Sequence, residues 1–332
     1  MIAGDHPGAR LLSALKRRDP TVETLEGFQR LTGGAMQETW RFEAVADGRR
    51  RPLVLRRAQN DGAAPRPGTI SLADQAHVTR AAARQGVPSP EVVAVLDDDD
   101  GLGPGFVMGL VEGETVPQKI LRSPEFETTR PLLAAQCGAI LARIHALPAS
   151  QLPDLPRLTA ADKLRALRQQ YVQQGRPRPV FELAFQWLFR RLPQEPVGCL
   201  VHGDFRNGNL IVQADGIAAV LDWERAFVGD PMYDLGWLCV GSWRFGEIDH
   251  PVGGFGSLSA FAEAYRAEGG TVDLDRARFW EVYGSLDWGV TTAELGQEAG
   301  RTQSLEAAAI GRRTTEAEID LLRLIRDERK KP

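Results

Sequence analysis

The sequence predicts an α+β chain of two lobes, a small β-rich one over residues 1–112 and a large, mostly helical one over residues 113–332. Three observations carry that expectation. Short apolar-rich segments broken by glycine and charged turns fill residues 25 to 111, amphipathic helical periodicity takes over after Gly113, and three short β-like pieces interrupt it near residues 198 to 222. The 332 residues are enough to bury a core in each part.

The elements follow in order. Residues 9–18 (ARLLSALKRR) form the first helix, ended by Asp19-Pro20 because proline disfavours helix at the residue before it. LEGFQRL (25–31), ETWRFEAV (38–45) and PLVLRRA (52–58), separated by Gly33-Gly34 and by ADGRRR, read as an antiparallel meander. A helix from about Leu72 to Gln85 closes at Gly86, and PEVVAVL (90–96) and GFVMGLV (105–111) complete the strands. The run Asp97 to Asp100 before Gly101 lacks the spacing of a calcium loop and reads as a solvated hairpin turn. After a connector at Gly109 to Gly113, helices are expected at 125–147, 160–174, 180–191, 257–268, 273–298 and 303–328, with strands in GCLVH, NLIV and AAVLD between the third and the fourth.

Composition narrows the function classes. Hydrophobic residues make up 43% and charged residues 25%, as in ordinary folded proteins. The net charge of −4 gives no basic field to collect nucleic acid or a membrane surface, so neither is an expected partner. Cys137, Cys199 and Cys239 are far apart and lack CxxC spacing, which argues against a disulfide framework or a zinc site and for a cytoplasmic location. No apolar run reaches 18 residues, and MIAGDHPGAR has neither the basic nor the apolar part of a signal peptide, so an unexported, soluble chain is expected. The basic residues divide into 35 Arg and 5 Lys, with no lysine between Arg17 and Gln118.

The strongest chemical signal is His202-Gly203-Asp204-Phe205-Arg206-Asn207-Gly208-Asn209, set between two apolar strands. It has the His-x-Asp-x4-Asn spacing of a kinase catalytic loop, in which the aspartate takes the acceptor's hydroxyl proton and the asparagine holds a magnesium ion. An Asn/Gly-rich turn with a capping aspartate is the bland alternative. Val220-Leu221-Asp222-Trp223-Glu224 follows, with Asp222 leaving an apolar strand eighteen residues after Asp204, where a second carboxylate can serve the metal. In LTGGAMQETW (31–40), Gly33 and Gly34 either let backbone N–H groups approach a triphosphate or make an ordinary hairpin turn.

Taken together, HGDFRNGN, VLDWE, GDPMYDLGW and LTGGAMQETW make the sequence resemble the aminoglycoside phosphotransferase and choline kinase superfamily of small-molecule kinases, and within it bacterial relatives of kinase domains fused to acyl-CoA dehydrogenases. The resemblance runs from about Leu25 to about Leu324 and implies a bilobal, protein-kinase-like fold, with a nucleotide-binding lobe followed by a catalytic and substrate-binding lobe. It implies that ATP and Mg2+ are the cofactors and that a small molecule's hydroxyl is the acceptor. It makes Asp204 the catalytic base, His202 an orienting residue of the loop, and Asn209 and Asp222 the metal ligands. Gly33 and Gly34 would meet the phosphates, and the connector Met108, Gly109, Leu110 and Val111 would meet the purine edge through its backbone. Asp234 matches an aspartate that braces the catalytic loop, and capping a helix start is the equal alternative.

Two positions depart from the kinase pattern. Arg56 stands where a lysine would reach the phosphates, and Gln75, with Asp74 beside it, stands where a helix glutamate would pair with that cation. A nucleotide-binding pseudokinase is therefore the competing class, whereas the absence of an Ala-Pro-Glu element after Asp222 disfavours a protein kinase. His145 is expected to pack or cap, and Trp237, Trp243, Trp280 and Trp288 to fill the helical core, with lining of the acceptor cleft as the alternative for one of them.

Overall fold

The computed structural model describes residues 7–31, 37–58, 68–194 and 198–327. Gly33 and Gly34 lie outside the described residues. Helix α1 (Gly8–Arg18) buries Leu11 and Leu15 against an antiparallel sheet built from β1 (Val22–Leu31), β2 (Gln37–Ala46), β3 (Arg49–Ala58), β4 (Val92–Val95) and β5 (Gly105–Gly109). The strand order is β1-β2-β3-β5-β4, and Phe42, Leu53, Leu55 and Val107 fill the face toward α1. Helix α2 (Leu72–Arg84) covers the other face through Leu72 and Ala76, which meet Val92 and Phe106. The Asp97–Asp100 turn is a correction: Asp100 is buried and bonded to Arg17 and Arg18, because two guanidiniums at the end of α1 need a carboxylate there.

The large lobe comprises α3 (Pro117–Arg122), α4 (Leu133–His145), α5 (Ala160–Gln173), α6 (Pro179–Phe189), α7 (Met232–Leu238), α8 (Leu258–Ala267), α9 (Leu274–Thr302), α10 (Leu305–Gly311) and α11 (Thr314–Asp327). The helix expected at 125–147 begins only at Leu133, after short turns containing Pro124 and Pro131, whose missing N–H groups cannot serve a continuous helix. The one expected at 303–328 is two helices with a break after Gly311, which packs its backbone on Gly296. Two two-stranded sheets, β6 (Cys199–Val201) with β9 (Phe227–Gly229) and β7 (Leu210–Gln213) with β8 (Gly216–Val220), hold the loops that carry His202 to Asn209 and Asp222. Helices α3 and α7 and strand β9 are too short to show as periodic segments in the sequence.

The lobes are joined by backbone hydrogen bonds. Within the large lobe, Glu114 and Val212 exchange two at 2.9 Å, which ties the residue after the connector to β7, three residues after Asn209. Val220 N–H donates to the Pro88 carbonyl at 2.9 Å, and Ile70 N–H to the Glu224 carbonyl at 2.8 Å. The cleft between sheet and helices is thereby fixed at the ends of β7 and β8.

Candidate active site

The β6–β7 loop places Asp204. Gly203 has φ +83, and a Cβ there would lie 2.1 Å from the Arg225 carbonyl oxygen, so only glycine fits the tight passage. Asp234, fully buried on α7, accepts from His202 N–H at 2.8 Å and from Gly203 N–H at 2.9 Å. It heads no cap of its own helix, where Asp230 bonds Met232 N–H instead. His145 supports it from α4, with Nε2 3.1 Å from Asp234 and Nδ1 2.8 Å from the Tyr265 hydroxyl. His145, expected only to pack or cap, thus joins the brace.

His202 is buried and neutral in character. Its Nδ1 accepts from Asp204 N–H at 3.2 Å, which leaves Nε2 as the donor to the Leu221 carbonyl at 3.0 Å. Burial holds its pKa below the usual histidine value, against the pull of Asp234, Asp204 and Asp222. The ring therefore ties the Asp204 loop to the turn that carries Asp222, with both of its nitrogens engaged by backbone groups.

Asp204 collects three side-chain donors. Trp237 Nε1 donates to Oδ1 at 2.8 Å, Asn209 Nδ2 to Oδ2 at 2.7 Å, and Arg206 Nε to Oδ1 at 3.1 Å. Trp237 is buried as core packing requires, and its indole also reaches the Asp204 carboxylate. Arg206 in turn lies over the Trp243 ring, 4.9 Å from its centroid. Because Asn209 spends its amide nitrogen on Asp204, its amide oxygen is the atom left to accept a partner.

Asp222 follows β8 with φ +68, and Leu221 N–H donates to the Asn209 carbonyl at 2.9 Å, so the Asp222 turn and Asn209 sit side by side. An amide oxygen and a carboxylate form a hard-oxygen donor pair, and a magnesium ion takes one or two such groups and completes its shell with phosphate oxygens and water. Among the described residues no cluster of three or more His, Cys, Asp or Glu side chains could hold a metal without such help. Arg56 Nη2 lies 2.5 Å from Asp222 Oδ1 and 3.8 Å from Glu224, and its Nε donates to Gln37 Oε1. Burial and the neighbouring Asp222 raise the Glu224 pKa. Side chains alternate along β3: Arg56 faces the cleft, and Arg57 on the opposite face pairs with Glu38 at 2.9 Å.

The expected helix partner for Arg56 is overturned. Asp74 is occupied by the Ser71 hydroxyl at 2.6 Å in the N-cap of α2, and Gln75 donates to the Ile70 carbonyl at 3.1 Å. Arg56, Gln75, Phe106, Met108, Leu221 and Asp222 instead line a small interlobe pocket. Of the connector residues, Gly109 and Leu110 spend their N–H groups on the Glu91 and Pro52 carbonyls at 2.8 and 3.1 Å. Gln37, Glu224, Arg206 and the Trp237 indole are contacts that motif reading missed although all four stand within quoted motifs; the strand register brings Gln37 to Arg56, and the helix packing brings Trp237 to Asp204.

With this geometry in hand, comparison is informative. Residues 27–280 match the profile of the phosphotransferase enzyme family. The chain belongs to that family. Acyl-CoA dehydrogenase family member 10 of Mus musculus is 30% identical over 203 residues, which are 57% of this phosphotransferase-family chain and 18% of the mouse protein, so the chain spans under a fifth of that relative. Two solved structures share the fold. A candidate aminoglycoside phosphotransferase of Ralstonia eutropha has a TM-score of 0.73 at 21% identity, covering 96% of this chain and 98% of that one. A thermostable mutant of aminoglycoside phosphotransferase APH(4)-Ia, solved with AMP-PNP and hygromycin B, has a TM-score of 0.62 at 19% identity, covering 97% and 99%. As the sequence predicts, the architecture is α+β, with an antiparallel sheet lobe ahead of a mostly helical one. Among the described residues no helix is long and apolar enough to cross a membrane.

Proposed function

We propose that the chain is an ATP-dependent phosphotransferase of the cytoplasm that moves the γ-phosphoryl group to a hydroxyl of a small molecule. The observation that carries this reading is the convergence of Asp204, Asn209, Asp222 and Arg56 on one interlobe cleft. Asn209 and Asp222 would hold magnesium, which when bound neutralises charge on the phosphates. Arg56 would steady the phosphates, for which a guanidinium's paired N–H groups suit oxygen anions. Asp204, held by Trp237 and Asn209, would orient the acceptor hydroxyl and take its proton, so that catalysis is mainly positioning and charge compensation. His202 and Asp234 act only on the loop's shape. Purine recognition would fall to Met108–Val111, with the Val111 N–H as donor since those of Gly109 and Leu110 are engaged. Residues 1–112 and 113–332 would then be the nucleotide-binding and the catalytic lobe.

The test is phosphate transfer from labelled ATP to a panel of hydroxyl compounds that includes aminoglycosides, choline and hydroxyacyl-CoAs. Asp204→Asn should keep nucleotide affinity within a few-fold and lower turnover by at least about a hundred-fold. Nucleotide binding without transfer to any acceptor would favour the pseudokinase instead.

A further inference from the structure

We propose that Glu224, and not a residue of helix α2, is the carboxylate partner that positions Arg56 for the nucleotide; the inference rests on the phosphotransferase reading above. Arg56 has two carboxylates in reach, Asp222 at 2.5 Å and Glu224 at 3.8 Å from the same Nη2. The nearer one belongs to the hard-oxygen pair with Asn209. A carboxylate oxygen engaged by a guanidinium is a poor ligand for a second cation, because the two positive charges repel across it. Arg56 therefore has to loosen from Asp222 when a nucleotide with its metal engages the cleft, and Glu224 is the group that receives it.

The surroundings are arranged for that exchange. Gln37 touches both partners: its Oε1 accepts from Arg56 Nε, and its Nε2 donates to Glu224 Oε2 at 3.4 Å. One amide thus holds the cation and the second carboxylate at a fixed spacing. Helix α2 offers Arg56 no carboxylate, since Asp74 serves the N-cap and Gln75 points its nitrogen at the Ile70 carbonyl, its buried Oε1 without a partner among the described residues. The helix contributes through its backbone instead. Ile70 N–H donates to the Glu224 carbonyl at 2.8 Å, so the entry to α2 holds the Glu224 turn in place beneath Arg56. The departures at positions 56 and 75 are in this view one rearrangement, in which the acid has moved from the helix to the turn after Asp222.

Calorimetric titration of the full chain with ADP, in magnesium and in EDTA, tests this with wild type, Glu224→Gln, Arg56→Ala and the double variant. Glu224→Gln should weaken binding roughly ten-fold in magnesium and about two-fold or less in EDTA, where Asp222 still holds Arg56. In the Arg56→Ala background its effect should fall below about two-fold, and the ATP KM of Glu224→Gln should rise with kcat little changed. Gln37→Met, which leaves both carboxylates intact, should act in the same direction and also lose its effect without Arg56; it stands in if Glu224→Gln proves poorly folded in a thermal melt. Unchanged affinity, or a loss that persists in full without Arg56 together with a raised magnesium requirement, overturns the assignment and makes Glu224 a bystander or a metal ligand. Absence of nucleotide binding by the wild type overturns the phosphotransferase reading itself.

Discussion

Asp234→Asn isolates the brace of the loop that carries Asp204. The carboxylate receives His202 N–H, Gly203 N–H and the His145 ring, all within 2.8–3.1 Å in a fully buried site. An asparagine offers a single acceptor oxygen, and its NH2 must face one of the two backbone donors. A buried N–H left without a partner costs about 1–3 kcal/mol, and the bond that survives loses the charge assistance that roughly doubles its strength. The expected loss of unfolding free energy is about 2–4 kcal/mol, measured by urea denaturation of the full chain. Turnover should fall far more than ATP affinity, because the loop carries Asp204 and not Arg56. An unfolding free energy within about 0.5 kcal/mol of wild type would refute the reasoning.

Other expectations follow from single contacts. Gly203→Ala forces a Cβ to 2.1 Å from the Arg225 carbonyl at φ +83, so it should lower both stability and turnover, whereas alanine at exposed Gly27, with no described residue within 4 Å of its Cβ, should affect stability only. The Lys163 amine lies 4.2 Å over the Phe227 ring and 4.6 Å over that of Tyr233; burial, with Arg225 nearby, pushes its pKa down to about 7. Between there and the unfolded value of about 10.4 the unfolded chain binds the extra proton, so stability rises with pH across that window and the burial penalty is complete below it. Lys163→Met should therefore stabilise the chain at pH 6.5 and by progressively less toward pH 10 in urea titrations; a destabilised variant at pH 6.5 would show that the two rings hold the ammonium charged.

Strand and loop chemistry were legible where the physics is local. A period of two with glycine punctuation marks the meander, and a catalytic loop needs its aspartate and asparagine a fixed few residues apart whatever surrounds them. Contacts set by packing left no such trace. Trp237 meets Asp204 across 33 residues and His145 meets Asp234 across 89, so nothing in either neighbourhood distinguishes them from core residues. Gln37 is a diagonal neighbour of Arg56 only because Thr39 pairs with Arg56, a register that one residue of slip would undo. Asp100 looked solvated because its run is acidic throughout; the arginines that bury it come from α1, more than eighty residues earlier.

The backbone at Asp222 bears on how this site can vary. Its φ of +68 places a side-chain-bearing residue in the left-handed region, which aspartate and asparagine enter more readily than longer or branched residues do. A metal held as proposed asks for an anion there, and the turn asks for a short side chain, so two unrelated filters would select the same amino acid. Glutamate satisfies the first and fails the second; asparagine does the reverse. Under the proposed reading no other residue meets both demands at this position, whatever the surface of the helical lobe carries.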